Sequence, residues 1–128
     1  MMNFIASICL SVLMCFGTAG LKAQTKKSET GTASYYAAKF NGRAMANGKK
    51  YDENKLTAAH NKLPLGTFVK VSNLRNKKSV IVEVTDRMHH KNKRLIDLSK
   101  AAARQLGFLK QGLTKVKVEV IEKPQERP

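Results

Sequence analysis

The segment Val80-Ile-Val-Glu-Val-Thr-Asp-Arg87 decides the fold that we predict for this chain. Its three valines fall on one face and alternate with the residues of the opposite face, which is the pattern of a half-buried β-strand. The strand runs into a carboxylate and a guanidinium, those of Asp86 and Arg87. Because rigid scaffolds present functional groups in the loops that follow their strands, we expect the rest of the chain to build a barrel around this strand and a binding groove around Asp86.

Other segments of the chain also have β-strand character. The six predicted strands are 31–37, 56–60, 67–74, 80–85, 95–97 and 114–121. Two segments that overlap predicted strands, 65–71 and 112–118, resemble each other in sequence, as expected of a barrel built from two similar halves. So many short strands favour a small, mainly β closed barrel, because closure removes exposed strand edges.

One segment, 98–106, has helical periodicity, with apolar residues at i, i+4 and i+8 on one face. Asp97 or Ser99 can cap its start, and Gly107 follows it as a left-handed stop residue. We expect Asp97 to serve this cap rather than to contact a ligand, because Asp and Ser are common at helix starts.

The start of the chain has the character of a cleavable signal peptide. Residues 1–21 carry no charged side chain, and the apolar run within them is shorter than the roughly 20 residues of a membrane-spanning helix. We expect cleavage after Ala23, with cleavage after Ala19 or retention as an anchor as the alternatives. The predicted organisation is a signal peptide (1–23), a polar tether (24–30), one barrel domain (31–122) and a tail (123–128).

Export narrows the chemistry that the chain can perform. Both cysteines, Cys9 and Cys15, lie in the predicted signal peptide, so a processed chain has no disulfide, thiol nucleophile or cysteine metal site. Cys15 is a weak candidate for lipidation, because Met14 precedes it where lipoproteins favour a small residue. The adjacent His89 and His90 point apart in an extended segment, whereas a structural zinc needs four ligands. We therefore predict no metal and no cofactor, in a protein of the periplasm or cell envelope.

The charge balance points to an anionic partner. The chain has 24 Lys and Arg residues against 9 Asp and Glu, a net charge of +15. Such a balance suits nucleic acid, an acidic membrane surface or an acidic polymer, and export argues against nucleic acid. The basic run 91–94, with Arg75, Lys77 and Lys78, is most simply a solvated face that also attracts anionic envelope polymers. We expect a monomer.

Eight short motifs occur in an order and spacing that resemble one known family. They are Gly31–Tyr36, Ala46–Gly48, Tyr51–Asp52, Leu56–His60, Leu63–Gly66, Val69–Asn73, Thr85–Arg87 and Ile96–Ala102. The segment 31–122 that contains them resembles the rare lipoprotein A (RlpA-like) domain. The resemblance implies a six-stranded double-psi β-barrel with one short helix, the fold of expansins. It also implies an envelope protein that binds peptidoglycan and, in some members, cleaves its glycan strands.

The resemblance places functional residues on Asp52, His60 and Asp86. A lytic transglycosylase needs one carboxylic group that acts as acid and then base, whereas a hydrolase needs two. Because carboxylates are scarce in this chain, we choose Asp86 as the acid/base. His60 would donate a hydrogen bond to sugar or to an Asp, and Asp52 would orient His60. The alternatives are a loop-capping or Arg-paired Asp86, a structural His60 and a turn-forming Asp52.

Substrate contacts are expected from Tyr35, Tyr36 and Arg87. Adjacent residues of a strand face opposite ways, so one tyrosine belongs to the core and the other can stack on a sugar ring or donate its hydroxyl. The chain has no Trp, which leaves sugar stacking to Tyr or Phe. Arg87 stands beside the proposed acid.

The sequence departs from the family pattern at two places. Lys49 follows the Asn-Gly turn where the family has an acidic residue, and Met88-His89 follows the Asp-Arg pair where the family has Gly-Pro. The first departure removes a carboxylate from the proposed site, and the second reshapes the loop behind the proposed acid. The leading function is a lytic transglycosylase, and the alternative is a non-catalytic, expansin-like wall-binding module. Docking on cell-division or envelope proteins through the basic face is a third class.

Overall fold

The computed structural model describes residues 27–125, which form a closed barrel of six strands and one α-helix. The strands are β1 (Ser28–Tyr35), β2 (Thr57–Ala59), β3 (Phe68–Asn73), β4 (Ser79–Asp86), β5 (Ile96–Leu98) and β6 (Thr114–Ile121). The helix is α1 (Lys100–Leu106), and a 3-10 turn covers Ala38–Phe40. The predicted mainly β barrel with one short helix is confirmed.

The strands follow the order β1-β5-β2-β4-β3-β6 around the barrel. Pairs β1–β5 and β2–β4 are parallel, and the other pairs are antiparallel. The closed order means that β1 pairs with β6, the last strand, so that the sheet has no open edge. This topology places the short β2 between β4 and β5.

The alternating valines that predicted β4 are the residues of this strand that face the interior of the barrel. Val80, Val82 and Val84 are buried, whereas Ile81 between them is 42% exposed. Inward residues of β3 and β6 join them in one core cluster, and α1 covers it with Ala102, Ala103 and Leu106. Burial of apolar area contributes about 25 cal/mol per Å², so this alternation supplies the main driving force for closing the barrel.

The helix begins and ends at two of the predicted capping residues, Ser99 and Gly107, but Asp97 does not cap it. Ser99 Oγ accepts a hydrogen bond from the backbone N–H of Ala102 at 3.2 Å and is the N-cap. Gly107 ends the helix with φ +76°, in the left-handed region that favours glycine. Asp97 is not the cap, because it belongs to β5.

The repeated segments of the sequence have equivalent places in the barrel. Gly66 and Gly112 both have positive φ, +94° and +80°, and each stands two residues before a strand, β3 and β6 respectively. The two strands are antiparallel neighbours.

The first strand begins earlier than predicted. Residues 28–30, expected as part of the tether, pair with Glu119, Val118 and Lys117 of β6 and belong to the barrel. The predicted signal peptide (1–23), with Cys15, lies outside the described residues, as do the other tether residues 24–26 and the tail residues 126–128. Within residues 27–125, no helix is long and apolar enough to span a membrane.

The side chain of Asn73, which is 2% exposed, connects three parts of the barrel. Its Nδ2 donates to the carbonyl oxygen of Leu106 at 2.9 Å, at the end of α1. Its Oδ1 accepts from Thr114 Oγ1 at 2.9 Å and from the backbone N–H of Arg75 at 3.0 Å. Loss of this amide would leave the buried Thr114 hydroxyl and the backbone N–H of Arg75 without their acceptor, whereas the Leu106 carbonyl would keep its bond from Asn76.

We predict that Asn73→Ala lowers the free energy of unfolding by about 3 kcal/mol, because each buried polar group left unpaired costs about 1–3 kcal/mol. The control is Asn76→Ala. Asn76 also donates to the Leu106 carbonyl, but that carbonyl would keep its bond from Asn73, so we expect a loss of only about 1 kcal/mol. Urea unfolding measures both, and equal losses would contradict the prediction.

Candidate active site

Because β2 lies between two strands, one alanine of β2 has a carboxylate residue on each side. Ala59 is the pairing partner of Asp86 on β4 and of Asp97 on β5. On the far side of β5, Asp97 pairs with Ser34 of β1. Because neighbouring strands lie about 4.7–4.9 Å apart, the Cα atoms of the two aspartates are roughly 10 Å apart. The small Ala59 side chain leaves the space between them open.

A β-bulge at the end of β4 directs Asp86 into this space. Ala58 pairs with Val84, but Ala59 pairs with Asp86, so Thr85 is an extra residue that opposes nothing on β2. Bulges of this kind re-aim side chains and are common next to active sites. Thr85 itself is buried against Met45, with Oγ1 3.3 Å from the Met45 sulfur.

A groove of about 490 Å³ lies over the row of paired residues. Its lining includes Asp86, Asp97 and Ala59, and its aromatic wall consists of Tyr36, Phe40 and Tyr51. The Tyr36 ring stacks on Tyr51 with centroids 4.3 Å apart, and meets Phe40 edge-on at 6.2 Å. Such a wall beside carboxylates suits a sugar, whose apolar ring faces stack on aromatic rings.

Three donors hold the Asp86 carboxylate. Tyr36 Oη donates to Oδ2 at 2.5 Å, and the backbone N–H groups of Ala46 and Arg87 donate to Oδ1, both at 2.8 Å. Burial, and then the hydrogen bond to Asp86, raise the pKa of Tyr36 far above its usual value, so the phenol stays neutral.

The two oxygens of Asp86 therefore differ in what they can do. An amide N–H can only donate, so Oδ1 is fixed as an acceptor. The Tyr36 hydroxyl can rotate and either donate or accept, so Oδ2 is the oxygen that can gain and lose a proton without losing its partner. The geometry thus gives Oδ2, at the edge of the groove, a hydroxyl partner that can pair with either form of the carboxyl group.

The Arg87 guanidinium is directed to backbone carbonyl groups rather than to Asp86. Its Nη1 donates to the carbonyl oxygens of His60 and Leu63, both at 2.6 Å. Across residues 27–125, Asp86 forms no salt bridge. Arg87 lines the groove, and its two carbonyl contacts tie the end of β4 to the loop after β2.

The two adjacent tyrosines have different surroundings, as the strand alternation predicts. Tyr35 packs edge-on against Phe108 at 5.8 Å and donates its hydroxyl to the carbonyl of Leu109 at 2.7 Å. Tyr36 faces the groove and Asp86. Tyr35 also borders the groove, but its hydroxyl is occupied by the core contact.

His60 lies close to Asp86 in the backbone but turns its imidazole elsewhere. Its N–H donates to the Asp86 carbonyl at 3.1 Å, while its side chain, 3% exposed, borders a separate depression beside Glu29 and Lys62. Nδ1 accepts from the backbone N–H groups of Lys62 at 3.0 Å and Leu63 at 3.2 Å. The structure therefore does not bring the imidazole into the groove, and its catalytic role stays a prediction.

Asp52 also lies outside the lining of the groove. Its Oδ1 accepts from the backbone N–H of Asn54 at 2.9 Å, which is the turn-forming arrangement. Within the described residues, no hydrogen bond connects it to His60, so the expected orienting contact is absent. Its assisting role stays a prediction as well.

Asp97 is a site residue that sequence reasoning missed. It lines the groove, and its Oδ1 accepts from Ser34 Oγ at 2.7 Å. The Arg94 guanidinium donates two hydrogen bonds to Asp97, from Nε to Oδ1 at 2.8 Å and from Nη2 to Oδ2 at 3.1 Å. Hydrogen bonding to Asp97 raises the pKa of Arg94. The available signal was the strand-like segment that ends at Asp97, three residues after an arginine.

Two further groove residues come from the segment that departs from the family pattern. Met88 and His89 line the groove, whereas Lys49 does not. The expectation that His89 and His90 point apart is wrong: their rings stack with centroids 4.4 Å apart, because His89 begins a turn in which the backbone N–H of Asn92 donates to the His89 carbonyl at 2.9 Å. Within residues 27–125, no group of three or more His, Cys, Asp and Glu side chains is arranged to hold a metal ion.

A closed six-stranded barrel of this kind, with a carboxylate groove across its strand ends, is a double-psi β-barrel protein. Residues 28–118 match the family described as lytic transglycolase, and the chain belongs to this family. The predicted RlpA-like double-psi β-barrel is thereby confirmed.

Two curated relatives of the chain carry the same name. The chain is 48% identical over 101 residues to "Endolytic peptidoglycan transglycosylase RlpA" of Neisseria meningitidis, covering 79% of this chain and 42% of that protein. It is 54% identical over 92 residues to the protein of the same name in Pseudomonas aeruginosa, covering 72% of this chain and 27% of that protein. The chain thus spans less than half the length of these relatives.

Solved structures with lower identity share the fold. The Streptomyces papain inhibitor superposes with a TM-score of 0.61 at 24% identity, covering 75% of this chain and 96% of the inhibitor. An expansin from Clavibacter michiganensis, solved with cellohexaose, superposes with a TM-score of 0.62 at 23% identity, covering 79% of this chain and 54% of the expansin. At these identities the likeness concerns the fold alone.

We predict that His60 makes stability depend on pH. Burial lowers the pKa of His60, and protonation would set an Nδ1–H against two N–H donors. The unfolded chain therefore binds the proton more readily, and the free energy of unfolding should fall from about pH 7.5 to about pH 5.5, a window that includes the unfolded pKa of about 6.5.

Urea unfolding across this window measures the effect against His60→Asn. Asparagine keeps an acceptor but does not titrate, so this variant should lose the part of the pH slope that His60 causes. His89→Asn, in an exposed position, is the control and should keep the slope. Identical slopes in wild type and His60→Asn would show that His60 does not titrate in this window.

Proposed function

We propose that this protein is an exported peptidoglycan lytic transglycosylase that cleaves the bond between N-acetylmuramic acid and N-acetylglucosamine. Asp86 is its acid and base, and the product has a 1,6-anhydro end. The observation that carries the proposal is the Asp86 carboxyl group, which Tyr36 and two backbone amides hold at the groove. The family and the names of the relatives point to the same substrate.

One carboxyl group suffices for this reaction. Asp86, protonated at Oδ2, gives its proton to the glycosidic oxygen as the bond from that oxygen to the anomeric carbon breaks. The resulting carboxylate then takes the proton of the muramic acid 6-hydroxyl as that oxygen bonds to the anomeric carbon. The proton count of Asp86 is restored, and no water enters.

The second carboxylate of the groove favours this one-acid scheme over hydrolysis. A hydrolase needs a second carboxylate free to act as nucleophile or base. Asp97 is instead bonded to Arg94 and Ser34, which occupy both of its oxygens. Asp86 is bonded only by neutral donors, so it is the better proton carrier.

We expect Asp86→Asn to lower the rate of glycan cleavage by about 10²–10⁴-fold, the usual contribution of a general acid–base. The amide oxygen can still accept from the two backbone N–H groups, so the fold and glycan binding should persist. Mass spectrometry of soluble products from purified sacculi measures the loss. Glu83→Gln is the matched control, because it makes the same change on the same strand outside the groove lining.

The products separate the outcomes of this experiment. Anhydro-ended sugars from wild type and Glu83→Gln, but not from Asp86→Asn, support the proposal. Reducing-end sugars would mean hydrolysis and would direct attention to Asp97. Undiminished cleavage by Asp86→Asn would remove Asp86 from the mechanism.

We expect Tyr36→Phe to lower the cleavage rate by roughly 10-fold while the aromatic wall stays in place, because it removes one hydrogen bond to a charged group. The stacking on Tyr51 needs only the ring. Tyr35→Phe is the control, since the Tyr35 hydroxyl bonds to the core carbonyl of Leu109. Initial rates of product release compare the two, and equal effects would contradict a specific role for the Tyr36 hydroxyl.

The second candidate function is a non-catalytic wall-binding module. One observation favours it: the imidazole of His60, which the family pattern makes a site residue, lies outside the groove. Lys49 also lies outside the groove lining, so its replacement of the acidic residue of the family pattern removes no carboxylate from the groove. A module would bind glycan saturably and release no product, with wild type and Asp86→Asn equally bound. Under either function the protein is proposed to act as a monomer in the periplasm or cell envelope.

A further inference from the structure

The loops that follow the parallel strands β2 and β4 are bonded to each other through the side chain of Arg87. Its Nη1 donates to the carbonyl oxygens of His60 and Leu63, both at 2.6 Å, in the loop after β2. A terminal guanidinium nitrogen carries two N–H groups in one plane, so a single nitrogen can serve two carbonyl oxygens. Arg87 therefore holds one loop at two points while its backbone belongs to the other.

The backbone on either side of Arg87 is bonded to the same loop. The carbonyl of Asp86 accepts from the N–H of His60 at 3.1 Å, and the N–H of Met88 donates to Asn61 Oδ1 at 2.8 Å. The N–H of Arg87 itself donates elsewhere, to Asp86 Oδ1 at 2.8 Å. The peptide that carries this N–H thus lies among four hydrogen bonds that join the two loops.

Regular strand pairing does little to hold this peptide. The pairing of β4 with β3 ends at Glu83, and β4 itself ends at Asp86. The bulge at Thr85 interrupts the pairing with β2 just before that end, and a bulge bends its strand and leaves one residue without a partner. The side chain of Arg87 therefore supplies a restraint that an uninterrupted strand would obtain from its neighbours.

The restrained N–H is one of the two amide donors on the proposed acid. Arg87 and Ala46 both donate to Oδ1 of Asp86, whereas Oδ2 faces the Tyr36 hydroxyl. Because an amide N–H can only donate, these two bonds favour protonation at Oδ2. If the N–H of Arg87 moved away, the carboxyl group would lose part of what distinguishes its two oxygens.

We propose that Arg87 is a positioning residue: its guanidinium, bonded to the carbonyl groups of His60 and Leu63, holds the Arg87 N–H on Oδ1 of Asp86. The inference rests on the proposed function and deepens it, because it assigns the orientation of the acid to a residue of the neighbouring loop contact. The guanidinium acts through Asp86 and makes no bond to the reacting sugar. A lysine cannot replace it, because the lysine side chain is one bond shorter and its ammonium lacks the planar pair of N–H groups.

Steady-state cleavage of soluble glycan strands by the full chain tests this role. We expect Arg87→Ala to lower kcat by about 10-fold with KM unchanged, roughly the value of one hydrogen bond to a charged group. Arg87→Lys should lower kcat nearly as far, although it keeps the positive charge. Millimolar guanidinium should restore part of the rate of Arg87→Ala but not of Arg87→Lys, because only the alanine variant leaves space for the ion.

The matched control is Arg104→Ala. It removes an arginine side chain at an exposed position of α1, outside the groove lining, and should leave kcat and KM unchanged. A loss of rate in this variant equal to that of Arg87→Ala would attribute the effect to net charge and overturn the proposal.

Amide hydrogen exchange followed by NMR tests the contact without any substrate. In Arg87→Ala and Arg87→Lys, the protection factor of the residue 87 N–H should fall about 10-fold, because its backbone is released from the loop after β2. The N–H of Ala46 should keep its protection. Its segment is held separately on β4, where the N–H of Asn47 donates to the carbonyl of Thr85 at 3.1 Å.

The outcomes decide the role of Arg87. A raised KM with an unchanged kcat would make Arg87 a substrate contact and overturn the proposal. A full rate in Arg87→Lys, or unchanged protection at residue 87, would show that the guanidinium does not hold that N–H and would also overturn it. If circular dichroism shows that neither variant folds, Arg87 is a structural residue of the barrel and the proposal is overturned. If wild type releases no product, the proposed function fails, and the protection factor still decides whether the guanidinium holds the N–H on Asp86.

Discussion

The pairing of β2 with both β4 and β5 is the constraint on which the site depends. Because β2 lies between these two strands, its last residue, Ala59, is the partner of Asp86 on one side and of Asp97 on the other. The floor of the groove is thus made by hydrogen-bonded strands rather than by mobile loops. A longer side chain at Ala59 would fill the space between the two carboxylates.

The two aspartates show how a strongly basic protein gives two carboxylates of one groove different hydrogen-bond partners. Asp97 is bonded to a guanidinium and a hydroxyl, so it behaves as part of the scaffold. Asp86 accepts hydrogen bonds from neutral donors, and the guanidinium of the next residue, Arg87, donates to carbonyl groups instead. The net charge of +15 therefore does not describe the immediate neighbours of Asp86, whose hydrogen-bond donors are all neutral.

The barrel could be predicted from the sequence because apolar and polar residues alternate along its long strands. The candidate site could be predicted only in part. The valines of β4 gave both the strand and the position of Asp86 at its end. The bulge at Thr85 and the three-residue β5 leave no periodic signal, so the inclusion of Asp97 in the groove was missed. The direction of the His60 side chain depends on two backbone amides after β2, which a residue pattern does not specify.

The pairing of the first strand with the last has a consequence for how the chain folds. Ser28 is the partner of Glu119, and Ala33 of Thr114, so the contacts that close the barrel join residues distant in sequence. Such contacts form slowly, because the intervening loop loses entropy before they stabilise the sheet. Until β6 is synthesised and pairs, β1 and β3 each lack one neighbouring strand. An incomplete or truncated chain therefore exposes two strand edges that can pair with another molecule.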